Sequence, residues 1–171
     1  NKVNFNIINT THSLGGKGID ISSSSSINIT NNTITTLATV TGEGLLLVSS
    51  STNIILNNTF TTNDHSIYFS GTQSSHFDHT FDNTNLINGK PLNYTKNIED
   101  VVFNSVDFSQ YGQVFFVNSS NITISNSNIS DNGLSLLETS NSTIQNNNIS
   151  TAKGPGIYLN FDSDSNIIDN N

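Results

Sequence analysis

Four histidines and a few carboxylates hold what this chain has for chemistry. His76-Phe-Asp78-His79, with Asp82 close behind, brings nitrogen and oxygen donors together. Such donors suit a transition metal, but no Cys or Met adds a soft ligand, and two imidazoles make a thin site. A polar turn between Phe77 and Phe81 accounts for the same residues, and that is the reading adopted. Asp162-Ser-Asp164, with Asp169, is the densest acidic cluster. Carboxylates spaced by two can hold Ca²⁺, but a solvated turn explains them as well. No metal and no cofactor is expected. The other sequence-visible chemistry is glycosylation. Ten Asn-x-Ser/Thr sequons begin at Asn9, Asn28, Asn31, Asn57, Asn93, Asn118, Asn121, Asn128, Asn141 and Asn148. With 30 Asn and 46 Ser or Thr in 171 residues, chance alone gives about eight. Their number therefore decides nothing.

The composition explains why so little chemistry is available. Asn, Ser and Thr make up 76 of the 171 residues, and the formal charge is -8 without a single Arg. An acidic chain lacking Arg is a poor partner for nucleic-acid phosphates. Ala occurs twice and Glu three times, so good helix formers are nearly absent, while Ile, Val, Phe, Tyr and Thr favour strands. Ile, Val, Leu and Phe total 50 residues, enough for a lean core. Aliphatic or aromatic runs reach only four residues, as in Leu45 to Val48, where a membrane helix needs about 20. Membrane insertion by this segment is not expected. Without Cys there is neither a disulfide framework nor a thiolate metal site. A chain opening on Asn1 with no signal peptide reads as a processed or excised piece.

What must position any functional group is a repeat. Ile29-Thr-Asn31-Asn32-Thr-Ile34 sets a pattern of apolar, x, Asn, polar, x, apolar. It returns from Ile55, Phe81, Ile124 and Ile144, in degraded form from Phe103, and in part from Ile168. Phe5 is taken as the start of a poorer first copy. A second element, usually opened by Gly, precedes most copies: Gly18 to Ile21, Gly44 to Leu47, Ser66 to Phe69, Gly112 to Val117, Gly133 to Leu137 and Gly156 to Leu159. Its alternating apolar residues indicate half-buried strands. A unit of this size cannot bury its own apolar face and must stack on its neighbours. A β-sandwich has no reason to repeat Asn-polar at one place per unit, and a leucine-rich solenoid needs helical segments that are missing. The expected fold is all-β: a right-handed parallel β-helix of about 7–8 coils, with 20–26 residues per coil. Residues 1–171 are read as a single domain and a segment of a longer array.

Stacked coils superpose equivalent positions, and a turn Asn tolerates the left-handed conformation. Its amide can donate to one neighbouring coil and accept from the other. Asn31, Asn57, Asn83, Asn126, Asn146 and Asn170 are expected to form such a ladder inside the stack, interrupted at Ser105. Asn28, at an outward strand position, and Asn93, in a loop, are then the candidate glycosylation sites. A threonine-rich stretch, Thr30 to Thr41, suggests an ice-binding face, but its threonines are expected to drift between coils.

The repeats resemble those of the NosD-like group, within the wider carbohydrate-binding and sugar-hydrolase β-helix superfamily. Such domains recur in archaeal adhesin-like cell-surface proteins. The resemblance is carried by Asn85-Leu-Ile-Asn-Gly89-Lys90-Pro91-Leu-Asn-Tyr94 and by Gly112-Gln-Val-Phe-Phe-Val followed by an Asn-rich strand. It implies a right-handed solenoid outside the cytoplasm, and it makes copper a candidate for the histidines. Pectate lyases and polygalacturonases share this kind of scaffold, but the lyase pattern needs Arg. Asn83-Thr84-Asn85 also lacks the Asp of a hydrolase motif. The expected function is a noncatalytic extracellular module at the cell surface, a rigid spacer or adhesin-like rod. Its partners would be carbohydrate or another cell-surface protein, with end-to-end self-association where open coils meet. The alternatives are a carbohydrate-active lyase, hydrolase or epimerase, and a self-assembling envelope or filament subunit.

Overall fold

A computed structural model describes every residue except Ser13, Thr39 and Ala152. It is an all-β solenoid of about seven coils, in two compact units, Asn1–Leu92 and Asn93–Asn171.

In the first unit the chain runs through β1 (Lys2–Asn4), β2 (Ile7–Thr10), β3 (Ile19–Ser22), β4 (Asn28–Thr30), β5 (Thr33–Thr36), β6 (Leu45–Val48), β7 (Ile54–Leu56), β8 (Thr59–Thr62), β9 (Ile67–Ser70), β10 (Thr80–Phe81) and β11 (Leu86–Ile87). Every third strand stacks in parallel, so β1-β4-β7-β10, β2-β5-β8-β11 and β3-β6-β9 form three faces. The repeat reads correctly as a register: Ile29 pairs with Ile55, and Ile55 with Phe81. The first copy differs from expectation, because Val3, not Phe5, stands over Ile29. Phe5 occupies a left-handed corner (φ 55) and is exposed. Threonines also stay in register where drift was expected, with Thr33 and Thr35 over Thr59 and Thr61. The match does not extend to β2, where Ile7 and Asn9 hold those places.

The segment Asn85–Tyr94 departs from the coil path. Ile87 pairs antiparallel with Lys90, the first residue of β12 (Lys90–Lys96), leaving Asn88-Gly89 as a two-residue turn. Both turn residues have positive φ (49 and 85), as the favoured hairpin turn requires.

The second unit repeats the plan with shorter coils: β13 (Val102–Asn104), β14 (Gln113–Ser120), β15 (Thr123–Ser125), β16 (Asn128–Asp131), β17 (Leu134–Ser140), β18 (Thr143–Gln145), β19 (Asn148–Thr151), β20 (Ile157–Asn160) and β21 (Ile167–Asp169). Phe103, Ile124, Ile144 and Ile168 form the expected apolar column. Their inward neighbours include Phe108, Val114, Phe116, Ile122, Ile129, Leu134 and Leu136.

Small glycines allow the coils to close. A Cβ on Gly18 would lie 2.5 Å from the Gly44 carbonyl and strike Ile34. Gly133 has φ +73, and a Cβ there would strike the Pro155 carbonyl and lie 2.6 Å from that of Gly156. A side chain at either point would separate the strand openings of successive coils.

Candidate functional site

The chain's polar side chains concentrate at the corners between faces, where the same two-residue device recurs. The first residue adopts positive φ and turns the chain; the second points inward and, where its side chain is polar, caps the backbone of the preceding coil. Ser49-Ser50, Thr52-Asn53 and Asn57-Asn58 are three such corners in one coil, with φ of 46, 51 and 55 at the first position. Asn118-Ser119, Asn121-Ile122 and Asn126-Ser127 are their counterparts in the second unit.

The Asn ladder is therefore displaced by one residue from the position expected of it. Asn57, Asn126, Asn146 and Asn170 are exposed, and Asn31 is half-buried. Buried residues follow four of them: Asn32 (2% exposed), Asn58 (0%), Ser127 (1%) and Asn147 (5%). Asn6 Nδ2 donates to Asn32 Oδ1 (3.0 Å), Asn32 Nδ2 to Asn58 Oδ1 (2.9 Å), and Asn58 Nδ2 to Asn85 Oδ1 (3.0 Å). The same oxygens accept the backbone N–H of the coil before, as from Asn32 to Asn58 (3.0 Å). In the second unit the chain is Val106 N–H to Ser127 Oγ (3.1 Å), Ser127 N–H to Asn147 Oδ1 (3.0 Å) and Asn147 Nδ2 to Asn171 Oδ1 (2.8 Å). A one-residue slip exchanges the two sides, which is why the sequence pattern placed the rung wrongly.

The outward Asn still form rungs, on the surface. Asn57 Nδ2 donates to Asn31 Oδ1, and Asn170 Nδ2 to Asn146 Oδ1 (2.6 Å). Asn126 turns to Asn104 (2.8 Å), beside the substituted Ser105. Asn83 sits on the surface where the coil gains a residue, so the Asn57 N–H meets Thr84 Oγ1 (2.8 Å) and the inward partner is Asn85. Asn28 is half-buried at an outward strand position. Asn93 lies in β12 rather than in a loop, half-buried, with its Oδ1 accepting from the Thr95 hydroxyl (2.8 Å). None of the buried Asn (32, 53, 58, 85, 132 and 147) opens a sequon. Residues two apart share a side of a strand, so an inward Asn is followed by an inward apolar residue, as Asn58 is by Phe60.

The histidines do not converge. His12 is exposed, its Nδ1 accepting from the Leu14 N–H. His65 Nδ1 meets Asp64 Oδ1 (2.8 Å), and Asp64 Oδ2 accepts from the Gly42 N–H (3.2 Å). His76 Nδ1 accepts from the Thr72 N–H (3.1 Å). His79 is 1% exposed, lies parallel to Phe69 at 5.5 Å, and holds an inward corner position below Asn53. Asp82 caps its own turn, with Oδ1 taking Thr84 and Asn85. Asp162 and Asp164 are exposed, and the Asp164 carbonyl accepts from the Asn141 N–H (3.0 Å). Among the described residues no three His, Asp or Glu come together in a way that could hold a metal ion. No helix among them is long and apolar enough to cross a membrane.

Two family models match the chain. Residues 1–96 match the model described as periplasmic copper-binding protein (NosD), and residues 80–171 match that of the right-handed β-helix region. No curated protein and no solved structure matches.

Proposed function

The chain belongs to the NosD-like right-handed β-helix family, and from that premise we propose that it is a noncatalytic, exported module. It serves as a rigid, adhesin-like spacer whose outer face meets carbohydrate or another cell-surface protein. One observation carries this reading: the inward polar side chains of the corners are committed to joining coil to coil. Asn32, Asn58 and Asn85 are bonded along the stack, as are Ser127, Asn147 and Asn171. The carboxylates are scattered, Asp64, Asp82 and Asp107 each bonding within its own turn or to the adjacent corner. The description of one matching family as periplasmic supports a place outside the cytoplasm.

The test is turnover and binding on a panel of polysaccharides including pectin, polygalacturonate and alginate, with and without Ca²⁺. Retention without new reducing or unsaturated ends is expected. Sustained turnover abolished by changing one carboxylate overturns the noncatalytic reading. A second reading is self-association through the exposed Ile167 (59%) and Ile168 (44%) of β21. Sedimentation over a range of concentrations decides it. Growth with concentration that is lost in Ile168→Lys supports the contact, and a monomer throughout refutes it.

A further inference from the structure

One buried group contradicts the pattern around it. Asn53 is fully buried; its Oδ1 accepts the Ile27 N–H (2.9 Å), yet its Nδ2 has no hydrogen-bond partner among the described residues. At the next corner the equivalent amide is satisfied, since Asn58 Nδ2 reaches Asn85 Oδ1 as well as two backbone carbonyls. Two things differ: Asn53 Nδ2 reaches no backbone carbonyl among the described residues, and another side chain stands one coil further on. Below Asn58 stands Asn85, whose carbonyl oxygen has two lone pairs and takes both the Asn58 N–H and the Asn58 Nδ2. Below Asn53 stands His79, whose Nδ1 offers one lone pair. The Asn53 N–H takes it at 3.2 Å, and nothing remains for Nδ2.

This arrangement fixes the imidazole. Because Nδ1 accepts a backbone N–H it carries no proton, so the ring is the Nε2–H form. Nε2 then donates to the His76 carbonyl at 3.1 Å. The ring face lies against Phe69, and Phe81 meets it edge-on at 6.3 Å. A copper ion requires a nitrogen lone pair, and the one on Nδ1 faces a backbone amide in the interior. The copper named in the family description therefore does not fit His79 in this chain.

We propose that His79 is a structural rung of the inner corner ladder and not a metal ligand. His79 closes the turn Gly71–His79 over Phe69 and Phe77 through its bond to the His76 carbonyl.

The experiment uses the whole chain, uniformly ¹⁵N-labelled. Ring nitrogen shifts of His79 are expected to show an unprotonated Nδ1 and a protonated Nε2 in the native protein, with no variant needed. Copper(II) added in equimolar amount is expected to leave the His79 signals unbroadened. Amide exchange at Asn53 should rise about tenfold or more in His79→Ala and stay near native in His79→Asn, which restores an oxygen acceptor. A protonated Nδ1, or equimolar copper binding that is lost in His79→Asn, overturns the proposal. So does native-like Asn53 protection in His79→Ala.

Discussion

Asn57 and Asn58 are adjacent, chemically identical and assigned opposite jobs by the fold, so truncating each in turn isolates the inner ladder. In Asn58→Ala the Asn32 N–H loses its acceptor at 3.0 Å, and Asn32 Nδ2 loses one of two partners, keeping the Val3 carbonyl at 2.9 Å. The Ile29 and Leu56 carbonyls lose the Asn58 Nδ2 donor, at 2.8 and 3.0 Å. One buried donor left without a partner costs about 1–3 kcal/mol, and the weakened neighbours bring the expected loss to about 2–4 kcal/mol. In Asn57→Ala the lost rung to Asn31 is at the surface, and the main charge is placing Ala at φ 55, about 1 kcal/mol. Urea unfolding followed by far-UV circular dichroism compares the two, with equal slopes required before the midpoints are compared. Amide exchange at Asn32 adds a local readout and should rise only in Asn58→Ala. If Asn57→Ala is as costly as Asn58→Ala, or if Asn32 stays protected without the Asn58 side chain, the assignment of inner and outer amides is wrong.

Gly133→Ala should destabilise by about 2–4 kcal/mol in the same urea assay, because it combines left-handed backbone with a Cβ driven onto the Pro155 carbonyl; a neutral result would show that the coils can separate freely there. Burial raises the Asp20 carboxyl, but the hydrogen bonds from Lys17 and Ser22 and the Lys17 charge together hold it below the usual aspartate value. Its contribution to stability is therefore present above the ordinary aspartate value and fades as pH falls through the lowered one. A carboxyl ¹³C titration should show that lowered midpoint, and Lys17→Ala should raise it; an unmoved midpoint refutes the pairing.

The stacking register was readable in the sequence because it rests on volume and periodicity. The column Ile29, Ile55 and Phe81 pairs in register, because this alignment stacks the first apolar residue of each copy of the repeat. The corner was harder to read because both of its residues are Asn in Asn31-Asn32, Asn57-Asn58 and Asn146-Asn147. Identical types leave no compositional sign of which turns out. The second unit supplies one: Asn126-Ser127 keeps Asn at the left-handed position and varies the inward one, where any side-chain oxygen serves. Phe5 was misread for a related reason. It is apolar by type, but it stands two residues past the column, in a corner where φ is set by its neighbours rather than by its own preference. Asn83 was lost to a one-residue insertion that no periodic template registers.

The same corner logic decides what the composition means. An Asn-, Ser- and Thr-rich chain reads at first as a surface made for ligands or glycans. At these corners the second residue must supply an acceptor to the coil before it, and the best acceptor has two lone pairs: one for the backbone N–H and one for the side-chain donor. Asn meets both demands and adds a donor for the next coil, so an Asn column extends without limit, as from Asn6 through Asn85. Ser and Thr have a single hydroxyl proton to donate, and they turn it back to the carbonyl two residues before, as Ser127 does to Ser125 (2.9 Å) and Thr139 to Leu137 (3.2 Å), rather than on to the next coil. Ile at this place, as in Ile27 and Ile122, can only begin or interrupt a column, giving its N–H to the next coil and accepting nothing at its side chain. Imidazole, with one lone pair on Nδ1, satisfies only the first demand. The frequency of Asn in this sequence is thus a consequence of how many corners must be joined, and the residues free to meet a partner are the outward ones that precede them.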